Sequence, residues 1–281
     1  MRRKASKRKT RLFRTAAAAA LVCMALLADS RWRLSSEEYV LASPRLPEAF
    51  DGFRIVQLSD LHGMRFGEDN ARLVQRVRSL RPNLIALTGD FIEGEAQLAP
   101  VEALCRELTG IAPVYFVSGN HDAGSGKLRE LEALLTRCGV CCLQNGCDTL
   151  SRGRDRLVLC GVEDPNTWAE MPAPDAVVRK MREAHPGEFA VLLGHRNDWP
   201  EKYPLLDVDV ILSGHGHGGI VRLPLVGGVF GTNAELFPEY DAGVFRTPRY
   251  AMAVSRGLGG SKYIPRFLNP PDIPVIVLKS E

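Results

Sequence analysis

Short apolar runs recur along the chain, most of them ending in a polar or charged turn: residues 54–59 (RIVQLS), 83–88 (NLIALT), 114–118 (VYFVS), 157–161 (LVLCG), 189–193 (FAVLL) and 208–213 (VDVILS). Runs of this length, rich in β-branched and large apolar residues, read as buried strands. Residues 275–278 read as a final strand. Between several of these runs lie stretches that read as helices, at 69–80, 100–109, 127–138 and 175–184. Strand, polar turn and helix in alternation predict an α/β fold, and in such sheets ligands bind at the carboxyl ends of the strands.

The strand ends carry the chemistry. They present Asp60 and His62, then Gly89-Asp90, then Gly119-Asn120-His121-Asp122, then His195, then His215 and His217 on either side of Gly216. A lone histidine at a strand end is ordinarily a core or surface residue. Two histidines separated by one glycine, with carboxylates, an amide and further imidazoles at four other strand ends, are a different matter, because every structural explanation would have to hold independently in one chain. Glycines at 214, 216, 218 and 219 free the backbone to turn both imidazoles toward one point. Carboxylate, amide oxygen and imidazole without thiolate favour manganese, iron or zinc and argue against a structural cysteine-zinc site. A pair of such ions lowers the pKa of a bridging water and clamps the oxygens of an in-line displacement, which suits phosphate esters.

In the order D-x-H, G-D, G-N-H-D, H and G-H-x-H, these motifs resemble those of calcineurin-like metallophosphoesterases, and the resemblance spans roughly residues 50–278. It implies a four-layer αββα sandwich. It also implies that one metal takes Asp60, His62, Asp90 and His217 and the other takes Asp90, Asn120, His195 and His215, with Asp90 bridging. His121 would contact the phosphate and assist the leaving group, with Asp122 orienting it, while a metal-bound hydroxide attacks phosphorus. The tail motifs GHGHGGIVRLP (214–224), VSRGLGG (254–260) and RFLNPP (266–271) resemble a bacterial subgroup of membrane-associated phosphodiesterases related to transmembrane metallophosphoesterases. That kinship implies a phosphodiester or pyrophosphate substrate, such as the lipid-linked UDP-2,3-diacylglucosamine. The competing expectations are a phosphomonoesterase and a noncatalytic metal-dependent binding protein. Three positions depart from the subgroup: Gly216 stands where Thr is usual, Ile220 where Gln is usual, and Asn197 where Pro is usual. None removes a ligand, but all flank the metals. Asp164, Arg65, Arg196 and Arg222 lie near the motifs as weaker candidates, and His185 reads as structural.

Composition adds an address. Residues 1–14 carry eight Lys or Arg and no acid, whereas the whole chain is only +3, so the remainder, eight units lower, is −5. Basicity therefore belongs to the tail, and no nucleic-acid partner is expected. The basic tail (1–14) leads into an apolar segment (15–28) that reads as a signal peptide or membrane anchor, then a linker (29–49) and one catalytic domain (50–281). The uninterrupted apolar run, 16–28, covers roughly 20 Å as a helix, short against a hydrocarbon core of about 30 Å. Ala28 and Ser30 offer a weak small-x-small cleavage site. In either case the positive-inside rule puts the catalytic domain outside the cytoplasm, anchored or, after cleavage, secreted. The seven cysteines leave open a disulfide within the cluster Cys138, Cys141, Cys142 and Cys147 or a set of free thiols.

Overall fold

The computed structural model describes residues 2–167, 171–232, 234–260 and 264–281, and the backbone alone over 2–10. Along the chain the strands are β1 (Glu38–Ser43), β2 (Phe53–Leu58), β3 (Leu84–Thr88), β4 (Val114–Val117), β5 (Cys141–Cys142), β6 (Cys147–Arg152), β7 (Asp155–Val162), β8 (Phe189–Gly194), β9 (Val210–Ser213), β10 (Arg222–Leu223), β11 (Gly227–Gly228), β12 (Gly243–Arg246), β13 (Ala251–Val254) and β14 (Val275–Ser280). The α-helices are α1 (Arg2–Trp32), α2 (Ala71–Ser79), α3 (Leu98–Thr109), α4 (Asn120–Gly124), α5 (Leu128–Arg137), α6 (Pro174–Ala184) and α7 (Trp199–Lys202).

The strands form two six-stranded mixed sheets, in the orders β1-β14-β2-β3-β4-β5 and β12-β13-β9-β8-β7-β6. Strict alternation along the central strands explains why the sheets stack. Ile55, Leu84, Ala86, Leu159, Val191 and Leu212 point into the layer between the sheets. Their neighbours Val56, Ile85 and Leu87 point outward to a core shared with α2, α3 and α5. On the other side Val158, Leu192 and Ile211 meet Val177, Val178 and Met181 of α6. Strands apolar on both faces must be covered on both faces, so helix, sheet, sheet and helix follow as four layers.

Three features differ from the sequence reading. The linker contains β1, which pairs in parallel with β14 from Glu38↔Val275 to Ser43↔Ser280. As an edge strand with only Leu41 buried, it lacks the apolar run that marks central strands. Helix α1 continues beyond the apolar run on both sides, and its 22-residue stretch Arg11–Trp32, which holds an 18-residue window at mean hydropathy 1.7, is long and apolar enough to cross a membrane. At 1.5 Å per residue it spans about 33 Å. Finally, Cys147 bonds not within its cluster but to Cys160, its register partner across the β6–β7 pair.

Candidate metal centre

Every predicted ligand stands just past the carboxyl end of a strand. Asp60 and His62 follow β2, Asp90 follows β3, Asn120 follows β4, His195 follows β8, and His215 and His217 follow β9. Five of them sit on left-handed backbone: Asp60 (φ 53°), His62 (47°), Asp90 (59°), His215 (66°) and His217 (46°). Aspartate and histidine tolerate this region better than most residues, yet each instance carries a cost on the order of 1 kcal/mol. Gly89, at φ 85°, precedes Asp90, and a Cβ there would lie 2.6 Å from the Gly119 amide and 2.7 Å from His195 Nδ1. The chain turns sharply at each strand end so that the next side chain faces its counterparts.

The side chains gather into two groups that share Asp90. In one, His62 Nε2 lies 3.2 Å from His217 Nε2 and 3.6 Å from Asp90 Oδ2, and His217 Nε2 lies 3.7 Å from Asp60 Oδ1. In the other, His195 Nε2 lies 3.1 Å from Asp90 Oδ2, 3.1 Å from Asn120 Oδ1 and 3.2 Å from His215 Nδ1. Two nitrogens bound at about 2.05 Å to one ion, with angles between 90° and the tetrahedral value, are separated by about 2.9–3.4 Å. The imidazole pairs fall in that interval. Asp90 Oδ2 faces both groups. His195 Nδ1 donates to the Thr88 carbonyl at 2.8 Å, which turns Nε2 toward Asp90 and Asn120.

Electrostatics points the same way. Asp60 and Asp90 are buried, at 0% and 1% exposure, and their ion pairs run to imidazoles. Burial raises the Asp60 carboxyl; it would raise Asp90 too, but the His195 charge outweighs it and holds Asp90 well below the usual range. Reciprocally, burial would lower His195, but Asp90 and Asp60 push it up to about 10. Burial, followed by neighbouring positive charge, keeps His215 and His217 neutral, as metal ligands must be. Buried carboxylates that draw a proton onto a buried imidazole have a deficit of positive charge at their centre, and the donor set fits two borderline cations.

His121 and Asp122 separate. The His121 side chain is 47% exposed at the edge of the cluster, its ring edge-on to His62 with centroids 4.7 Å apart. Asp122 is fully buried, and its carboxylate accepts hydrogen bonds from the amides of Asp90 (2.7 Å), Phe91 (2.8 Å), Ile92 (2.9 Å) and Gly119 (3.0 Å). Burial and then the Asp90 charge push its carboxyl up to about 7, against the pull of those amides. Its oxygens are committed to the Asp90 loop, and no hydrogen bond or ion pair joins them to the His121 ring among the described residues. The acid beside that ring is Glu93, whose Oε1 lies 3.9 Å from His121 Nδ1 and 3.3 Å from His62 Nδ1. Sequence reading did not single out Glu93, which lies three residues after Asp90.

The weaker candidates resolve individually. Arg196 pairs with Asp164 through Nε (2.6 Å) and Nη2 (3.2 Å) and places Nη1 3.2 Å from His215 Nε2. Arg222 turns away to Asp241 and the Gly218 carbonyl. His185 pairs with Glu188 at 3.5 Å. Two of the departures touch each other: a Cβ on Gly216 would lie 2.7 Å from Asn197 Nδ2, which donates to the Tyr240 carbonyl at 2.6 Å. The tail motifs also acquire a place. Asn269 Nδ2 donates to the carbonyls of His217 (2.8 Å) and Ile220 (3.1 Å), and the Arg266 guanidinium is bonded to carbonyls of Gly259, Arg256 and Asn269.

Residues 53–219 match the family model for calcineurin-like phosphoesterase. "Uncharacterized metallophosphoesterase YkuE" of Bacillus subtilis is 30% identical, with 88% of this chain and 86% of that protein covered. "Transmembrane protein with metallophosphoesterase domain" of Danio rerio is 27% identical over 84% of this chain and 55% of that one. "UDP-2,3-diacylglucosamine pyrophosphatase LpxG" of Chlamydia trachomatis is 27% identical, covering 81% and 85%.

Proposed function

Because the chain belongs to the calcineurin-like phosphoesterase family, we propose that it hydrolyses a phosphodiester or pyrophosphate bond in a lipid-linked substrate at the outer face of a membrane. The observation that carries this reading is the single Asp90 Oδ2 set between two imidazole-rich groups, 3.1 Å from His195 Nε2 and 3.6 Å from His62 Nε2. Asp60, His62, Asp90 and His217 would hold one ion, and Asp90, Asn120, His195 and His215 the other, drawn from manganese, iron and zinc. Two such ions supply neutralisation of phosphate oxygens and an acidified water. His121, at the solvent edge, binds a phosphoryl oxygen and passes a proton to the leaving oxygen. Glu93 stands beside its Nδ1 and fixes the ring's direction. Asp122 fixes Asp90.

Support for the membrane setting comes from three places. Helix α1 has the length and polarity of a span. Ser30, the end of the small-x-small cleavage site, is fully buried and accepts the Asn269 amide at 3.3 Å, which favours an uncleaved anchor. The Cys147–Cys160 bond suits an oxidising compartment outside the cytoplasm. A relative named as a pyrophosphatase of UDP-2,3-diacylglucosamine points to the substrate class. The test is hydrolysis by the full chain in detergent, stripped and reloaded with each metal, on matched aryl phosphate monoester and diester substrates with UDP-2,3-diacylglucosamine alongside. Metal-dependent diester or pyrophosphate turnover lost in His121→Ala is expected. Preference for the monoester, or two metals bound without turnover of any substrate, would overturn the reading.

A further inference from the structure

Between helix α1 and the loop after β13 lies a cavity of about 360 Å³. Its walls are mostly apolar, with Met24, Leu27 and Trp32 from the helix and Met64, Leu258 and Pro265 opposite, and Ser30, Arg31 and Arg266 supply the polar lining. We propose that this groove takes one acyl chain of the enzyme's own phospholipid-type substrate, drawn sideways from the bilayer, so that chain length governs how well the phosphate reaches the metals. The proposal rests on the phosphoesterase reading above and deepens it.

Three observations commit the groove to an acyl chain. First, one wall is the helix that is long and apolar enough to cross a membrane. Its exposed residue Leu21 (63%) lies about one turn before Met24 (56%), so an apolar surface runs along the helix into the groove. Second, the helix ends at this cavity in the residue types of a membrane–water boundary: the Arg31 guanidinium lies over the Trp32 ring, 5.5 Å from its centroid, and both line the cavity. A guanidinium there matches an anionic headgroup. Third, the opposite wall is bonded to the metal-ligand loop. The Leu258 amide donates to the Ser59 carbonyl at 2.9 Å and the Gly259 amide to the Asp60 carbonyl at 2.6 Å. Met64 follows His62 by two residues, at most about 7.6 Å of backbone. A chain seated against Met64 and Leu258 therefore leaves its phosphate end within reach of His62 and Asp60.

The test uses the full chain in nanodiscs and a series of alkyl 4-nitrophenyl phosphate diesters from methyl to dodecyl. Each buried methylene is worth up to about fourfold in affinity, so kcat/KM should climb with chain length until the groove is filled. Leu27→Trp, which fills the groove, should flatten that climb by about tenfold or more between butyl and dodecyl. Met24→Trp, at an exposed position that tolerates the larger ring, should do the same. Val22→Trp, exposed on the same helix but about 200° around it from Met24, should keep the wild-type slope. Equal slopes in all four proteins would overturn the proposal, since a groove that merely holds a structural lipid would give that result. If no diester turns over, the phosphoesterase reading has failed, and the groove is decided by a dodecyl phosphate carrying a terminal diazirine. Adducts on Leu27, Met64 or Leu258 support it; adducts confined to Leu12 and Val22 overturn it.

Discussion

Asp122 belongs to the histidine motif by sequence but to the Asp90 loop by structure, and the two assignments predict different failures. In Asp122→Asn, one side-chain oxygen can still accept from the Phe91 and Ile92 amides, now at 2.8 and 2.9 Å. The other position becomes an NH2 that faces the amide donors of Asp90 and Gly119, now at 2.7 and 3.0 Å. Two charge-assisted hydrogen bonds are lost and two donors are opposed in a fully buried site, at about 1.5–3 kcal/mol for each bond. With local relaxation the net cost is about 3–4 kcal/mol, a large share of a typical domain's stability. The displaced loop is the one that presents Asp90, so metal affinity should fall as well. Urea unfolding of the metal-stripped protein measures the first effect, and calorimetric titration with manganese the second. His121→Ala removes a half-exposed ring and should leave both within experimental error of wild type. An Asp122→Asn protein that unfolds like wild type, binds metal normally and loses only kcat would refute this account and restore Asp122 as the partner of His121.

Three further outcomes follow from other contacts. Burial raises the Glu163 carboxyl from 4.5 to about 7, so folded Glu163 keeps its proton where the unfolded chain has lost it. Stability should fall as pH rises from 4.5 toward 7 and level off above. Glu163→Gln should abolish that loss, gaining about 3 kcal/mol at pH 8; unfolding curves of mutant and wild type that stay parallel from pH 4.5 to 8 would count against it. Gly216→Thr should cost about 1 kcal/mol by displacing Asn197 from the Tyr240 carbonyl, and much less in an Asn197→Ala background; strict additivity in this double-mutant cycle would show that the two positions are independent. Cys147→Ser opens a bond between residues 13 apart and should lower stability by about 2–3 kcal/mol in oxidising buffer, a difference that vanishes when both proteins are reduced.

What could be read in the sequence, and what could not, divides along physical lines. Central strands are buried on both faces, so their apolar runs announce them, and the histidine and carboxylate motifs that follow them were legible in the same way. Edge strands half-facing solvent carry no such signature: β1, β6 and β12 have mostly exposed or partly exposed positions. Strand register is likewise invisible in one dimension, so nothing local to Cys147 pointed to Cys160. The Asp122 role was hidden for a related reason. A carboxylate that binds backbone amides has no partner side chain to look for, whereas Glu93 became recognisable only once two imidazoles from different strands faced it.

The same logic undoes the boundary near residue 50 between an address and a catalytic domain. β1 supplies an entire edge of the first sheet through β14, whose other neighbour, β2, leads directly to Asp60. Ser35 receives Arg256 Nη2 at 3.2 Å, and Arg256 also pairs with the buried Asp272 at 3.1 Å. Ser30, near the end of α1, accepts the amide of Asn269, and the side chain of Asn269 holds the carbonyls of His217 and Ile220. One hydrogen-bonded residue, Asn269, thus separates Ser30 of the apolar helix from the backbone of His217. A chain begun at Asp51 would lose those ties, expose Leu278 and its neighbours at a new sheet edge, and loosen the turn that aims His217. In the membrane setting proposed above, the same ties would set the height of the His217 cluster above the bilayer surface.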